Sequence, residues 1–599
     1  YWLATDESWR ADDEPAAIVC RLGEEPYGDL EGGPEWFVRG GFGDIEAYPL
    51  IRLTVLETNS MQASAESGTL SLQGRLGQDA DLVHVPGEKL ELFYHLRKQN
   101  EWKWKRSRQL ELDLSAAPSV LLDLTEENNY RFETHNAGTY PVKVMWNGAE
   151  SLQELDRYDG CITEWFELPP GQTRFTIPQG FRYIRLYWLG SAGVPFEVKL
   201  RFESAHVGLR QTGTLEADGD EGRLNEIFRV CAHTSRICHQ IGLWDGIKRD
   251  RLNWTFDFYL AAKACYSLWD DYEVVRRAVR ELGAGTPYGR WMNGIPEYTL
   301  WWIKTVCEYY FYTGDKAFVL EMKEPLERHI RWVEEHIDRS EGGLNVGGGI
   351  LIEWVPLTEE AKRLGLQAIY ALTRADLVRL ADWLPELGLA FDWPLRDLEE
   401  SSFMRESHPL AVKTLGIASG YVSAAVARAF LAGYELKDPF TPLSAYQLAE
   451  CLSRHEMHER AYGVIAQVWG GMLQRGATAF WEAFTMDSGD DYHEALTTYT
   501  AYGSYRMSLC HAWSSTPVKW IGETVLGVEP LEPGFASIRF RPVSVGGIRE
   551  CSGTVSTPRG PIAVRWHLDE NGELISAVQA PEGIRIFQGE ASDVPDAVG

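Results

Sequence analysis

From about residue 221 to about residue 512 the chain places its apolar residues at helical spacing, and on either side of that stretch it alternates with a period of two. A sheet buries one face and a helix one stripe, so each region must find packing partners of its own kind. In 221–241, Leu224, Ile227, Phe228, Cys231, Ile237, Cys238 and Ile241 form one helical face. Further helical patterns lie at 256–269, 297–312, 316–337, 359–384, 419–433, 442–453 and 495–510, and predict roughly twelve helices. A helical region of that length suits an (α/α)6 barrel, whose end loops make a pocket.

Alternating runs at 50–55, 90–94, 120–124, 142–146 and 183–188 are separated by Gly, Pro, Asn and Asp. They predict one or two antiparallel β-sandwiches. Alternation returns after Pro517, at 538–540, 553–555, 562–566 and 584–587. The expected division is therefore a β-sandwich region over 1–215, an (α/α)6 barrel over 216–515 and a C-terminal β-sandwich over 516–599. A chain of 599 residues is too long for one core, in keeping with several domains.

The net charge of −29 argues against a nucleic-acid partner, because phosphate contacts need clustered Lys and Arg. No run approaches the ~20 apolar residues of a membrane span. Nine scattered cysteines, an odd number without a CxxC pair, predict buried reduced thiols in a cytoplasmic protein, not a disulfide framework or a zinc site. No signal peptide is visible, although a leader could precede Tyr1. A homodimer stays open.

The densest chemical segment is 244–257, where Asp245, Asp250 and Asp257 lie with Lys248, Arg249, Arg251, Trp244 and Trp254. It reads as a loop entering a helix, with Thr255 a candidate N-cap. A carboxylate beside cations stays ionised, while one against an indole in a dry pocket can act as an acid. A surface loop of ordinary ion pairs would have the same composition. Trp481-Glu482 sets a lone carboxylate among aromatics, ahead of Asp487, Asp490 and Asp491. Glu482 reads equally as a surface residue or a pocket carboxylate. Glu353-Trp354 follows a glycine run, and its plain reading is a surface Glu beside a core Trp. His511 ends the last helical pattern and reads first as a core or capping histidine.

There is no GxSxG elbow, no phosphate-binding loop ending in Lys-Ser/Thr and no HExxH. Cleavage of a glycosidic bond needs little more than two carboxyl groups in an aromatic pocket.

In order along the chain, these segments resemble glycoside hydrolase family 78, the α-L-rhamnosidases. The family's acid-rich motif resembles the run from Asp245 to Asp257, with Asp250 where the family usually has a Glu general acid. Its Trp-Glu resembles Trp481-Glu482, its Asp-Trp resembles Glu353-Trp354, and its Ser-Leu-Cys-His-Gly-Trp-Ser run resembles 508–514 with Ala512 in place of Gly. Residues 526–534 resemble its entry to the C-terminal sandwich, and 180–183 its last N-terminal β domain. The first 100 residues match nothing placed.

The resemblance implies an inverting hydrolase of terminal α-L-rhamnose with no cofactor and no metal. Asp250 would be its general acid and Glu482 its general base. Asp245, Asp257, Glu353 and His511 would contact the sugar. Trp254, Trp302, Trp354 and Trp481 would pack against the ring, and Arg249 would orient Asp250 or a substrate carboxylate. Two alternatives stay open: another (α/α)6 glycosidase, for example one acting on uronic-acid oligosaccharides, and a non-catalytic sugar-binding protein derived from a glycosidase.

Overall fold

The computed structural model describes residues 45–50, 52–66, 68–78, 94–98, 101–105, 117–157, 162–248, 250–437, 440–486 and 507–588. The expected strand at 90–93, the expected helix over 495–506, Arg249 and the acidic trio Asp487, Asp490 and Asp491 lie outside the described residues. The chain divides into two compact units, 1–206 and 207–599.

The first unit is built on one large sheet. Its neighbouring strands run in the order Ile162–Leu168, Val142–Ala149, Gln179–Gly190, Ser119–Asn136, Pro195–Val207, Thr69–Arg75 and Met61–Glu66. The pairs along this path are antiparallel. Alternation sends Leu122, Leu124, Trp146, Ile184, Leu186, Trp188, Val198 and Leu200 into one fully buried core. The register slips between Phe181 and Tyr183, and there Arg182 turns aside to pair with Asp123 at 3.0 Å. One short helix, α1 (Leu152–Arg157), belongs to this unit.

The second unit holds the helices α2 (Arg223–Cys238), α3 (Thr255–Leu268), α4 (Glu273–Gly285), α5 (Pro296–Thr313), α6 (Lys316–Glu321), α7 (Lys323–Glu334) and α8 (Glu359–Trp383). They are followed by α9 (Glu400–Phe403), α10 (Leu410–Ala418), α11 (Ala424–Gly433), α12 (Pro442–Arg454), α13 (His458–Gln474) and α14 (Pro517–Trp520). The single helix expected over 316–337 is two. Pro325 lacks an N–H and is accepted only near a helix start, so a new helix begins at Lys323.

Local chemistry sets several ends. α5 opens on Pro296 and stops at Gly314, whose left-handed φ of 65° and close approach to Gly534 leave no room for a side chain. Thr358 caps α8 by accepting from the Ala361 N–H, and α12 carries a Thr441–Ser444 capping box. Thr255 does not cap α3: Trp254 is the cap residue, and the Thr255 hydroxyl and N–H both donate to Asn293 Oδ1.

α3 is buried along its whole length and α5 nearly so, as expected of helices enclosed on all sides. α3 packs on α5, α5 on α8, α8 on α10 and α10 on α12; α12 and α3 both pack on the 512–515 turn, so the series returns to its start. The 3-10 turn Ala512–Ser515 and α14 are buried throughout.

After the helices come two small sheets. One has the order Thr214–Ala217, Glu550–Val555, Ile562–Leu568 and Leu574–Gln579, and the other Val528–Pro530, Ser537–Phe540 and Arg585–Gln588. The strand Thr214–Ala217 precedes the helices yet pairs with Glu550–Val555, and Asp218 accepts the N–H groups of Arg549 and Glu550. Residues just before the helical region therefore belong to the C-terminal sheet.

Candidate active site

The segment between α2 and α3 folds back on itself. The Asp245 N–H donates to the Leu252 carbonyl at 3.1 Å, and the Asp245 carboxylate accepts the Leu252 N–H at 3.0 Å. At the tip, Asp250 and Arg251 both have φ of 57°. Two successive left-handed residues without glycine cost about 1–3 kcal/mol each and persist where the surroundings enforce them. Here Arg251 is held by its Nε donating to the Ile247 carbonyl and by its place over the Trp244 ring. The turn brings the half-buried Asp250 carboxylate back to accept from the Trp254 indole N–H at 3.2 Å.

The segment 507–514 lies against this loop. Gly246 and His511 form an antiparallel bridge, and the Ala512 N–H donates to the Asp245 carbonyl at 2.7 Å. Lys248 Nζ donates to the Met507 carbonyl at 3.1 Å. On the other side, Glu482 and Ser508 exchange bonds. The Glu482 N–H donates to the Ser508 carbonyl and the Ser508 N–H to Glu482 Oε2, both at 2.9 Å. The His511 N–H donates to the Phe480 carbonyl, and Ser514 Oγ to that of Trp481. Within the same layer, His511 Nε2 lies 3.4 Å from Asp257 Oδ1 in the first turn of α3, and its ring packs on Trp513.

The structure thus brings Asp245, Asp257, Glu482 and His511 into one contiguous layer, all buried, with Asp250 and Trp254 paired beside it. This settles Glu482 as a buried carboxylate and the 244–257 segment as more than a solvated loop. Residues 507–511 are irregular chain ending in the bridge at His511, not the end of a helix.

The tryptophans divide. Trp254 keeps a little exposure and Trp354 is half-buried. Trp302, expected to face a sugar, is fully enclosed. Its indole N–H donates to the Val279 carbonyl of α4 and its ring meets His329 of α7 edge-on. Its neighbour Trp301 points the other way, stacked on Phe256 of α3, because adjacent helical residues diverge by about 100°. Trp481 is also enclosed, so both indoles support their surroundings from within and offer no open ring face.

Glu353 reverses its plain reading: the Glu is buried and the Trp is half-exposed. Its Oε1 accepts from Thr441 Oγ1 at 2.6 Å and from the Trp354 N–H at 3.1 Å. Burial pushes its pKa up to about 7.

Sequence reasoning missed Glu297, a buried acid in the first turn of α5, and Asn293, which anchors the start of α3. Glu297 resembles any first-turn acid, and only its burial distinguishes it. Among the described residues, no group of three or more His, Cys, Asp or Glu could hold a metal ion, and no helix is long and apolar enough to cross a membrane.

Residues 527–586 match the bacterial α-L-rhamnosidase C-terminal domain. The chain is 25% identical over 142 residues to an α-L-rhamnosidase of Formosa agariphila and 27% over 139 residues to one of Alteromonas sp.. These matches cover 24% and 23% of this chain but only 14% of either relative.

The structure is similar to the family 78 rhamnosidase of Bacillus sp. GL1, with a TM-score of 0.64 and 21% identity over 82% of this chain and 54% of that one. It is also similar to a Streptomyces avermitilis α-L-rhamnosidase complexed with L-rhamnose, with a TM-score of 0.61 and 18% identity over 78% of this chain and 48% of that one. A Klebsiella oxytoca rhamnosidase with rhamnose bound gives a TM-score of 0.57 and 17% identity over 80% of this chain and 95% of that one. At these identities the structural likeness shows a shared fold. By the sequence of its C-terminal domain and by the fold of most of its length, the chain resembles glycoside hydrolase family 78, the α-L-rhamnosidases.

Proposed function

We propose that this chain is a glycoside hydrolase that removes terminal α-L-rhamnose from a glycoside or oligosaccharide with inversion at the anomeric carbon. The observation that carries the reading is the layer joining Asp245, Asp257, Glu482 and His511 through the 245–257 and 507–514 segments. These are the residues that the family resemblance assigns to substrate and base. The helix series that returns to α3 supports an (α/α)6 barrel around them, and the flanking sheets support a β-sandwich region over most of 1–215 and a C-terminal sandwich at about 516–599 that takes in Thr214–Ala217. The described cysteines, all buried, support a reducing compartment such as the cytoplasm.

In this mechanism Asp250 protonates the glycosidic oxygen as the bond to the anomeric carbon breaks. Glu482 takes a proton from a water that attacks the opposite face, giving β-L-rhamnose. Asp is one methylene shorter than Glu, a retraction of roughly 1.5 Å. The left-handed pair at Asp250 and Arg251 shapes the loop tip, and the Trp254 indole N–H holds the carboxyl group. Asp245, Asp257 and His511 bind the sugar hydroxyls, and Trp254 and Trp354 pack against the ring.

The test is hydrolysis of p-nitrophenyl α-L-rhamnopyranoside by the parent and by Asp250→Asn and Glu482→Gln, with folding checked by circular dichroism. Turnover lost in both folded variants supports the reading. Rhamnose binding without turnover in the parent replaces it with a sugar-binding role.

A further inference from the structure

Glu297 takes no part in the chemistry above, yet its placement is unusual. It opens α5, is wholly buried, and accepts the Leu351 N–H through Oε1, while its Oε2 has no hydrogen-bond partner. An ionised carboxylate without a partner for one oxygen is costly to bury, so the neutral acid fits this site better. Burial pushes its pKa up to about 8, against the opposing pull of its own N–H, that of Leu351 and the Lys362 ammonium on α8. Two residues beyond Leu351, Glu353 is held in the same manner. It is bonded to Thr441 at the start of α12, with Ser444 beside it, and its Oε2 too lacks a partner. The 350–354 segment is therefore tied at Leu351 to the start of α5 and at Glu353 to the start of α12, and Trp354 is the next residue.

We propose that Glu297 is a positioning residue: a neutral carboxyl group that pins Leu351 to α5 and so sets where Trp354 stands. This rests on the proposed role of Trp354 against the sugar ring. A neutral acid and an amide present the same acceptor to Leu351, whereas an apolar side chain of similar size presents none. The structure thus separates Glu297→Gln from Glu297→Met, two changes that both remove the acid and largely keep its volume.

The experiment measures deuterium uptake at the Leu351 amide and steady-state kinetics on p-nitrophenyl α-L-rhamnopyranoside for the full chain and both variants at one pH. Glu297→Gln is expected to match the parent in both. Glu297→Met is expected to raise uptake at Leu351 and to raise KM by about tenfold, the effect of leaving one buried N–H unsatisfied, with kcat changed far less. Unchanged uptake in Glu297→Met, or Glu297→Gln as damaging as Glu297→Met, overturns the proposal. If the parent does not turn over the rhamnoside, the proposed function fails, and the exchange measurement alone still decides whether Glu297 holds the segment.

Discussion

Gly246 sits where the acid loop meets the 508–511 segment, and a methyl group there has nowhere to go. A Cβ on Gly246 would lie 2.8 Å from the Cys510 carbonyl oxygen, against about 3.4 Å for ordinary contact, and 3.4 Å from Ser508 Oγ. The backbone dihedrals of Gly246 are open to any residue, so Gly246→Ala acts by contact alone. The bridge to His511 must open by about 0.6 Å, the difference of those two distances, which displaces Asp245 and Asp250 from Glu482 and His511. Overpacking of this size costs roughly 1–3 kcal/mol of stability. A misplacement of about 1 Å can cost on the order of a hundredfold in rate, so roughly tenfold is expected in kcat. The assay is p-nitrophenyl α-L-rhamnopyranoside turnover beside a thermal melt. Gly347→Ala serves as control, because nothing lies within 4 Å of its Cβ. A folded Gly246→Ala enzyme with kcat within twofold of the parent would refute the claim that the two segments act as one layer.

Trp254→Phe removes the N–H that holds the Asp250 carboxyl group, a hydrogen bond worth about 0.5–1.5 kcal/mol, and is expected to lower kcat by up to about tenfold in the same assay. His329 is buried, and burial beside Arg328 lowers its pKa to about 4. Its neutral form contributes stability above pH 6.5 that is lost as pH falls toward 4, roughly 3 kcal/mol in all, and urea melts of His329→Leu should lack that acid loss. Glu297 has the opposite sign. With its pKa raised to about 8, its contribution is complete below pH 4.5 and falls as pH rises to 8, so Glu297→Gln should gain on the parent by roughly 3 kcal/mol at pH 7 and by nothing near pH 4.

The helical middle and β flanks were legible because period predicts which face is buried, as at Leu224, Ile227, Phe228 and Cys231 in α2. Asp245, Asp257, Glu482 and His511 were legible only together, because several motifs recur in order; none is distinctive alone. Three features were hidden because they depend on contacts distant in sequence. Thr214–Ala217 joins a sheet whose other strands come more than 300 residues later. Trp302 and Trp301 look alike in sequence, and only the packing of α5 shows which faces α3. Glu297 reads as a routine first-turn acid until burial and the Leu351 N–H surround it.

The central claim is that Asp250 and Glu482 carry out inverting hydrolysis of an α-L-rhamnoside. Proton NMR of the anomeric signals during the first minutes of hydrolysis tests it most directly, with Glu482→Gln run in parallel. The account predicts that β-L-rhamnose appears first with the parent and that no sugar is released by the variant. Release of the α anomer first, or release by Glu482→Gln at the parent's rate, would contradict it.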